Sequence, residues 1–392
     1  MTTFKTKYGR RSFLKNTTLA GGGMLLGFSW LASCTRSEEE MLALPDEWFE
    51  INGYIKIGNN GVVTIQSPNP EIGQNVKTSM PMIVAEELDV DWKKVIVEQA
   101  PLNTAIFTRQ LAGGSQSIRQ GWQSLRMAGA TARALLLEAA AQTWQVPVGE
   151  LATEAGVISH ESSGQSAGYG EMAALAATLS VPEEVALKEL KDFKIIGTSR
   201  KNVDGRKIVT GEPLFGLDIQ KEGMQIAMIV HAPAFGMRLK SYDASRAKAM
   251  PGITDVFTLN TYSEDYDRQW CDVDAFNDLI VVVGKTTWEV MKAKEAVQVE
   301  WEAVAPLEST EQHYDNMKAM AAKPGRVLRK DGDPNAAFAS AEKVIERTYT
   351  APFLAHNTME PMNFYAHVTD EAATLIGPIQ TPEFMEKSVA AR

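Results

Sequence analysis

Two short runs of this 392-residue chain combine residue types suited to gripping an anion. Glu71-Ile72-Gly73-Gln74-Asn75 follows a strand pattern and precedes a helical one. Backbone N–H groups and the Gln74 amide could bind an anionic, hydrogen-bonding ligand there, although a plain turn accounts for the run as well. Gly113-Gly114-Ser115-Gln116-Ser117 has the same placement before a longer helical pattern. Gly113 and Gly114 permit close backbone approach, and the Ser115 and Ser117 hydroxyls lie near the positive end of that helix. The plainer reading makes one of these serines an N-cap. Neither run is a Walker loop or a Gly-x-Gly-x-x-Gly dinucleotide fingerprint.

Other chemistry has little support. His160 falls in a Gly- and Ser-rich stretch, 156–174, read as a loop with an exposed histidine, so no serine gains a convincing triad partner. His231, His313, His356 and His367 lack metal-site spacing. The two cysteines, Cys34 and Cys271, are too few for a disulfide framework, a zinc site or an iron–sulfur cluster, and Cys271 reads as a free thiol. A net charge of -10 argues against a nucleic-acid partner, whose phosphates need clustered Lys and Arg.

The elements that must position these runs read as a multidomain α+β chain. Residues 53–66 alternate apolar and polar about Asn59-Asn60-Gly61, as a hairpin does. Met80, Ile83, Val84 and Leu88 recur at helical spacing, and residues 94–98 return to strand character. Ile118, Trp122, Leu125, Ala128, Ala132, Leu135 and Ala139 share one face of a helix running to about Trp144. A second α/β pattern covers 205–301, with strands at 224–230, 254–257 and 279–283 and helices at 243–249 and 287–296. Beyond it, 341–349 and 364–368 read as strands, and a helix begins near Pro382.

The first 34 residues read as an address. Gly9-Arg10-Arg11-Ser12-Phe13-Leu14-Lys15 resembles a twin-arginine export signal, and the apolar stretch after it is too short for a stable span. Leu31-Ala32-Ser33-Cys34 looks like a lipobox, so Cys34 is the expected lipidation site. The expected location is the periplasm or cell envelope, with membrane contact through the lipid anchor alone.

Several ordered motifs together resemble the molybdopterin-binding large subunits of the xanthine dehydrogenase and aldehyde oxidase family. Glu71 to Asn75 resembles that family's Glu-Met-Gly-Gln-Gly strand end, Ala85-Glu86-Glu87-Leu88-Asp89 its helix end, and Ser115 with Ser117 its Ser-x-Ser. The stretch 115–144 is similar to the isoquinoline 1-oxidoreductase branch, in its beta subunit. Residues 209–253 resemble the family's α/β hammerhead domain, His356 to Pro361 its His-x-x-Met-Glu-Pro segment, and Gln380 the glutamine that approaches the molybdenum ligands. Ile72 and Asn75 depart from the family's usual Met and Gly. The domains implied are a signal at 1–34, the first part of a molybdopterin-binding domain at 45–200, a hammerhead-like domain at 201–305, and the start of a second molybdopterin-binding segment at 306–392.

The resemblance implies oxidative hydroxylation of an N-heterocycle or aldehyde, with oxygen from water. It implies molybdopterin with molybdenum, in the cytosine dinucleotide form, and 2Fe-2S clusters on a small partner subunit, with a cytochrome c as further electron acceptor. Gln74, Gly113, Gly114, Ser115 and Ser117 would hold the pterin or its pyrophosphate, and Gln380 would sit near the metal. No residue of this chain would ligate the metal directly. The family's Gly-Gly-Phe-Gly loop and catalytic Glu do not occur before Arg392, where a helical pattern is still running. The expectation is thus an amino-terminal half, inactive alone, whose catalytic Glu lies beyond Arg392; a natural terminus with a fraying helix is the other reading. A non-catalytic exported lipoprotein that binds a ligand or partner is the alternative function.

Overall fold

A computed structural model describes residues 42–107, 109–262, 267–268, 276–355 and 357–390, a mixture of helices and several small sheets. The export signal with Cys34, together with Cys271 and His356, lies outside the described residues. The described residues divide into two compact units, one within 42–66, 81–98 and 123–198, the other within 67–80, 99–122 and 199–390.

The first unit is built on β1 (Trp48–Asn52), β2 (Ile55–Gly58), β3 (Val63–Ser67), α1 (Val76–Leu88), β4 (Val95–Gln99) and α2 (Ser117–Trp144). The strands form one sheet in chain order, and the expected hairpin pairs Ile55 with Ile65 and Ile57 with Val63, all four side chains fully buried. Period-two alternation puts these residues on one sheet face, and burying them drives the pairing. Gly129 of α2 lies against α1: a Cβ there would stand 2.3 Å from the Val84 carbonyl oxygen, so the two helix backbones touch where a side chain cannot fit.

The stretch 156–174, read above as a loop, is instead ordered. It holds β6 (Val157–His160) and β7 (Gln165–Gly168), paired with β5 (Leu151–Glu154) in a three-stranded sheet, and α3 (Tyr169–Ala176) follows. The glycines sit at the turns, with φ of +84° at Gly156 and +72° at Gly164, while the four-residue strands between them are too short to show a period. His160, expected to be exposed, shares the inward face of β6 with Ile158 and is 5% exposed. Its Nδ1 lies 2.7 Å from Ser163 Oγ and its Nε2 3.0 Å from a Glu150 carboxylate oxygen, so it ties the hairpin tip to the turn before β5. The buried Tyr169 hydroxyl donates to the Leu88 carbonyl at 2.7 Å, and burial raises its pKa.

Glu86, Glu87 and Asp89, at the end of α1, grip the segment 186–196. Glu86, 1% exposed, accepts from the backbone N–H groups of Lys194, Ile195 and Ile196 at 2.6–3.0 Å and pairs with Lys188 at 3.3 Å. Glu87 accepts from Arg126 Nε at 2.7 Å and from the Lys188 N–H at 3.0 Å, while Asp89 pairs with Lys188 at 2.8 Å. Arg126 and Arg133 donate back to the carbonyls of Lys188 and Ala186.

Burial alone would raise the Glu86 pKa, but the three N–H donors and Lys188 outweigh it and hold the carboxyl below the usual carboxylate value. Asp89 is lowered likewise, against burial, by Lys188, Thr153 and Lys194. A folded-state pKa below the unfolded one stabilises the fold above the unfolded value, and the gain is lost as pH falls through the folded value. Unfolding free energy should therefore drop between about pH 5 and about pH 2. Glu86→Gln should destabilise the neutral-pH protein by roughly 2 kcal/mol and flatten that acid dependence, as read by denaturant titration at several pH values.

In the second unit, α4 (Gly205–Thr210) precedes a sheet of β8 (Ile226–Val230), β10 (Ile253–Asn260) and β11 (Asp278–Gly284) in the order β10-β11-β8, while β9 (Met237–Asp243) pairs with β12 (Gln298–Ala303). Helices α5 (Ser245–Lys248) and α6 (Thr287–Ala296) join them around a core of Ala244, Ala247, Val256, Ile280, Val282, Val290 and Ala293. Thr286 caps α6 by accepting from the Glu289 N–H. Short helices α7 (Thr310–Ala321) and α8 (Pro334–Ser340), the hairpin β13 (Tyr365–Val368) and β14 (Ala373–Ile376), and α9 (Pro382–Ala390) complete the unit. Residues 341–349, read above as a strand, have no ladder partner among the described residues, and a strand without one is not counted as sheet.

Candidate cofactor-binding site

The second unit brings four segments together at the amino end of α2, and amide side chains position them. Asn69, 5% exposed, donates from Nδ2 to the Leu111 carbonyl at 2.7 Å and to Ser117 Oγ at 3.0 Å. Gln99 gives both amide hydrogens to backbone, one to Ser67 and one to Asn69, each at 3.0 Å. Gln110, 2% exposed, donates to the Pro68 and Pro101 carbonyls at 3.1 and 2.8 Å and accepts from the Asn103 N–H at 2.6 Å. Ser117 Oγ thus serves Asn69 as an acceptor.

The loop held in this way has two consecutive left-handed residues, Gly114 at φ +60° and Ser115 at φ +55°. Gly113 accepts from the Gln116 N–H at 3.2 Å, and among the described residues nothing accepts from the N–H groups of Ser115, Ser117, Ile118 or Arg119. Such a nest, at the positive end of a 28-residue helix, suits an anion. Arg119 is exposed and makes no ion pair among the described residues. Gln116 Oε1 accepts from Gln120 Nε2 at 2.7 Å, and Arg109 in turn donates to Gln120 Oε1. Residues 113–122 contain no Asp, Glu or His, so the loop can bind and orient but cannot move a proton.

Gln380 reaches this loop from 268 residues away: its Nε2 donates to the Ala112 carbonyl at 2.7 Å, and its own carbonyl accepts from the Ala112 N–H at 2.9 Å. Gln380 thus stands one residue before Gly113.

The run 71–75 is arranged differently. Glu71 places its carboxylate on the N–H groups of Gly73, Asn75 and Lys77, at 2.7, 2.9 and 2.9 Å. Gln74 closes on its own turn, accepting from the Ile72 N–H at 2.7 Å and donating to the Pro70 carbonyl at 3.0 Å. A carboxylate of the same loop therefore takes one donor in the first turn of α1, at Lys77, and two in the approach to it. Lys77 pairs with Asp204 at 2.6 Å, and the buried Asn75 Oδ1 has no hydrogen-bond partner. Sequence reasoning gave the role to Gln74 and passed over Glu71, though an acidic residue just before a helix is a recognisable cap. It missed Asn69, Gln99 and Gln110 altogether.

Two family models, each described as a molybdopterin cofactor-binding domain, match residues 10–212 and 319–392. The chain belongs to the molybdopterin cofactor-binding family. The beta subunit of isoquinoline 1-oxidoreductase from Brevundimonas diminuta is 30% identical over 64% of this chain and 35% of its own length. The membrane-bound aldehyde dehydrogenase [pyrroloquinoline-quinone] of Gluconacetobacter polyoxogenes is 26% identical over 92% of this chain and 46% of its own. A nicotinate dehydrogenase subunit of Pseudomonas putida is 23% identical over 87% and 28%. This molybdopterin-binding chain thus spans between 28% and 46% of the length of these relatives. The xanthine dehydrogenase family resemblance read from the motifs agrees with the match.

The loop at 111–117 depends on the buried amides of Asn69 and Gln110, because leaving their partners unsatisfied costs about 1–3 kcal/mol per group. Asn69→Ala should speed amide hydrogen exchange at Leu111, Ala112 and Gln116, whose N–H groups are hydrogen-bonded, by at least about tenfold while leaving β8, β10 and β11 unchanged. Unchanged exchange at the loop would show that Asn69 does not position it.

Proposed function

We propose that this chain is the molybdopterin-binding part of an exported molybdenum hydroxylase that oxidises N-heterocycles or aldehydes with oxygen from water. The carrying observation is the pair of hydrogen bonds between Ala112 and Gln380, which joins segments inside the two matched stretches beside the nest at Gly114 and Ser115. The donor set fits the group: unpaired N–H groups, a glycine-lined approach and Arg119 suit the phosphate of a pterin or the pyrophosphate of its cytosine dinucleotide. When bound, molybdopterin with molybdenum supplies the redox chemistry.

The chain's residues bind and orient. Gly113, Gly114 and Ser115 let the backbone approach the anionic group, and Ser117 holds the loop through Asn69. Gln380 keeps Oε1 as an acceptor beside Ala112, whereas Gln74 takes part through the shape of its turn. Isoquinoline and nicotinate in two relatives' names, and aldehyde in the third's, support the substrate class. The division at 45–200, 201–305 and 306–392 belongs to this reading, as do a small 2Fe-2S subunit and a cytochrome c acceptor. The chain's two cysteines leave any cluster to a partner.

Purified from a host that makes the molybdenum cofactor, the chain should retain pterin and molybdenum, measured by fluorescence after oxidation and by metal analysis. Gly114→Asp keeps a left-handed backbone accessible while placing a like charge against the anion, and should lower retention at least about tenfold. No pterin on the unmodified chain, or full retention by the variant, would sink the reading.

Arg10 with Arg11 and the Cys34 segment support export and lipidation. Replacing both arginines by Lys should keep the protein in the cytoplasm, as cell fractionation would read. Delivery of that variant to the envelope at the normal level argues against the twin-arginine route.

A further inference from the structure

The geometry points to a second, hydrolytic site in the first unit, with Ser163 as nucleophile, His160 as its base and Glu150 orienting the base, acting on small neutral or cationic carboxylic esters. Ser163 Oγ lies 2.7 Å from His160 Nδ1, and His160 Nε2 lies 3.0 Å from a Glu150 carboxylate oxygen. A carboxylate only accepts, so Nε2 carries a proton and donates it to Glu150. In the neutral ring Nδ1 is then the acceptor that faces the Ser163 hydroxyl. Nucleophile, base and orienting group stand in the order that activates a serine.

Burial divides the roles. His160 is 5% exposed, so its ring is held in place and shielded from water, whereas Ser163 is exposed and open to a substrate. The hydroxyl has a second acceptor, Gln165 Oε1 at 2.9 Å, to which it turns when the ring is protonated and Nδ1–H donates to Oγ. The serine proton therefore has a place in both states of the base. The N–H groups of Ser162 and Ser163 donate to nothing among the described residues, and open N–H groups beside a nucleophile can stabilise an oxyanion.

The cleft beside His160, of about 380 Å³, is lined by Glu150, Ala152, Ser159, Glu161, Gln165 and Ser166, with room for a small acyl group. Its charge selects the substrate class. Between Arg133 and Lys188 the sequence has seven glutamates and no Lys or Arg, and two of the seven, Glu150 and Glu161, line the cleft. Anionic esters are repelled there, and neutral or cationic ones are not. In the reaction Ser163 Oγ bonds to the ester carbonyl carbon while its proton passes to His160 Nδ1. The C–O bond to the alcohol breaks, and the alcohol oxygen takes that proton. Water then gives a proton to Nδ1 and its oxygen to the acyl carbon, and the proton returns to Ser163 as the acid leaves. No oxidant or cofactor enters, so the site stands independently of the molybdopterin reading.

Turnover of p-nitrophenyl acetate by the full chain tests this, together with mass spectrometry of the Ser163 peptide after treatment with a fluorophosphonate. The unmodified chain should release p-nitrophenolate and carry the phosphonyl group on Ser163. Ser163→Ala should lose at least about 100-fold in kcat/KM, and His160→Gln should leave Ser163 unlabelled. Glu150→Gln keeps an acceptor for Nε2 and with it the hairpin, so kcat should fall about tenfold while KM holds, a split that a purely structural tie would not give. Circular dichroism reads the fold of each variant. Mono-p-nitrophenyl succinate, which is anionic, should react at least about tenfold more slowly than the acetate. An unmodified chain whose Ser163 stays unlabelled, or a folded Ser163→Ala chain that keeps the rate, overturns the site. Equal reaction of the two esters overturns the substrate class.

Discussion

The amide hydrogens of the buried Asn69 and Gln110 cannot be left unpaired, and together with those of Gln99, on the exposed side, all six are given to oxygens of the surrounding loops. That requirement fixes where residues 67–69, 101 and 111 lie, and with them the start of α2. The left-handed pair at Gly114 and Ser115, the unpaired N–H groups and the contact between Ala112 and Gln380 all follow from a loop that cannot relax without exposing those amides. The family's motifs mark the loop, but residues outside the quoted motifs hold it.

The first unit meets the same problem with charge. The segments around 179–189 and 193–196 lack helix or strand and would leave backbone groups open; Glu87 answers the first at Lys188 and Glu86 the second, from the buried end of α1. Burying two adjacent carboxylates is costly unless each has several donors, and Lys188, Arg126 and successive N–H groups supply them. The Ala-Glu-Glu-Leu-Asp run is thus explained by packing.

Much of the fold was legible because its periods are long and clean. The hairpin about Gly61 and the 28-residue α2 announce themselves through alternation and through an apolar stripe. β5, β6 and β7 hid because four residues with glycines at each turn carry little period. Residues 341–349 do have the pattern of a strand, but a strand is made by its neighbour, and no sequence pattern states whether the neighbour is present. The site was half legible for a related reason. Glycines and serines before a helix are a local signal, whereas Asn69 acquires its role from Leu111, 42 residues away, and Glu71 was visible but its carboxylate could be placed only by the turn.

Glu71 has one more consequence. By accepting from the N–H groups of Gly73 and Asn75 just before α1 and of Lys77 in its first turn, its carboxylate acts as a tethered counter-ion, present at an effective concentration that no dissolved anion matches. Of the two helices that begin in this unit's loops at 71–77 and 113–117, α1 is thereby neutralised by the chain itself and α2 is not. A ligand with an anionic end and a neutral end therefore meets an asymmetric field, and its entry has a direction. On the proposed reading the anionic end would be drawn to Gly114 and Ser115, and the neutral end would find its contacts elsewhere.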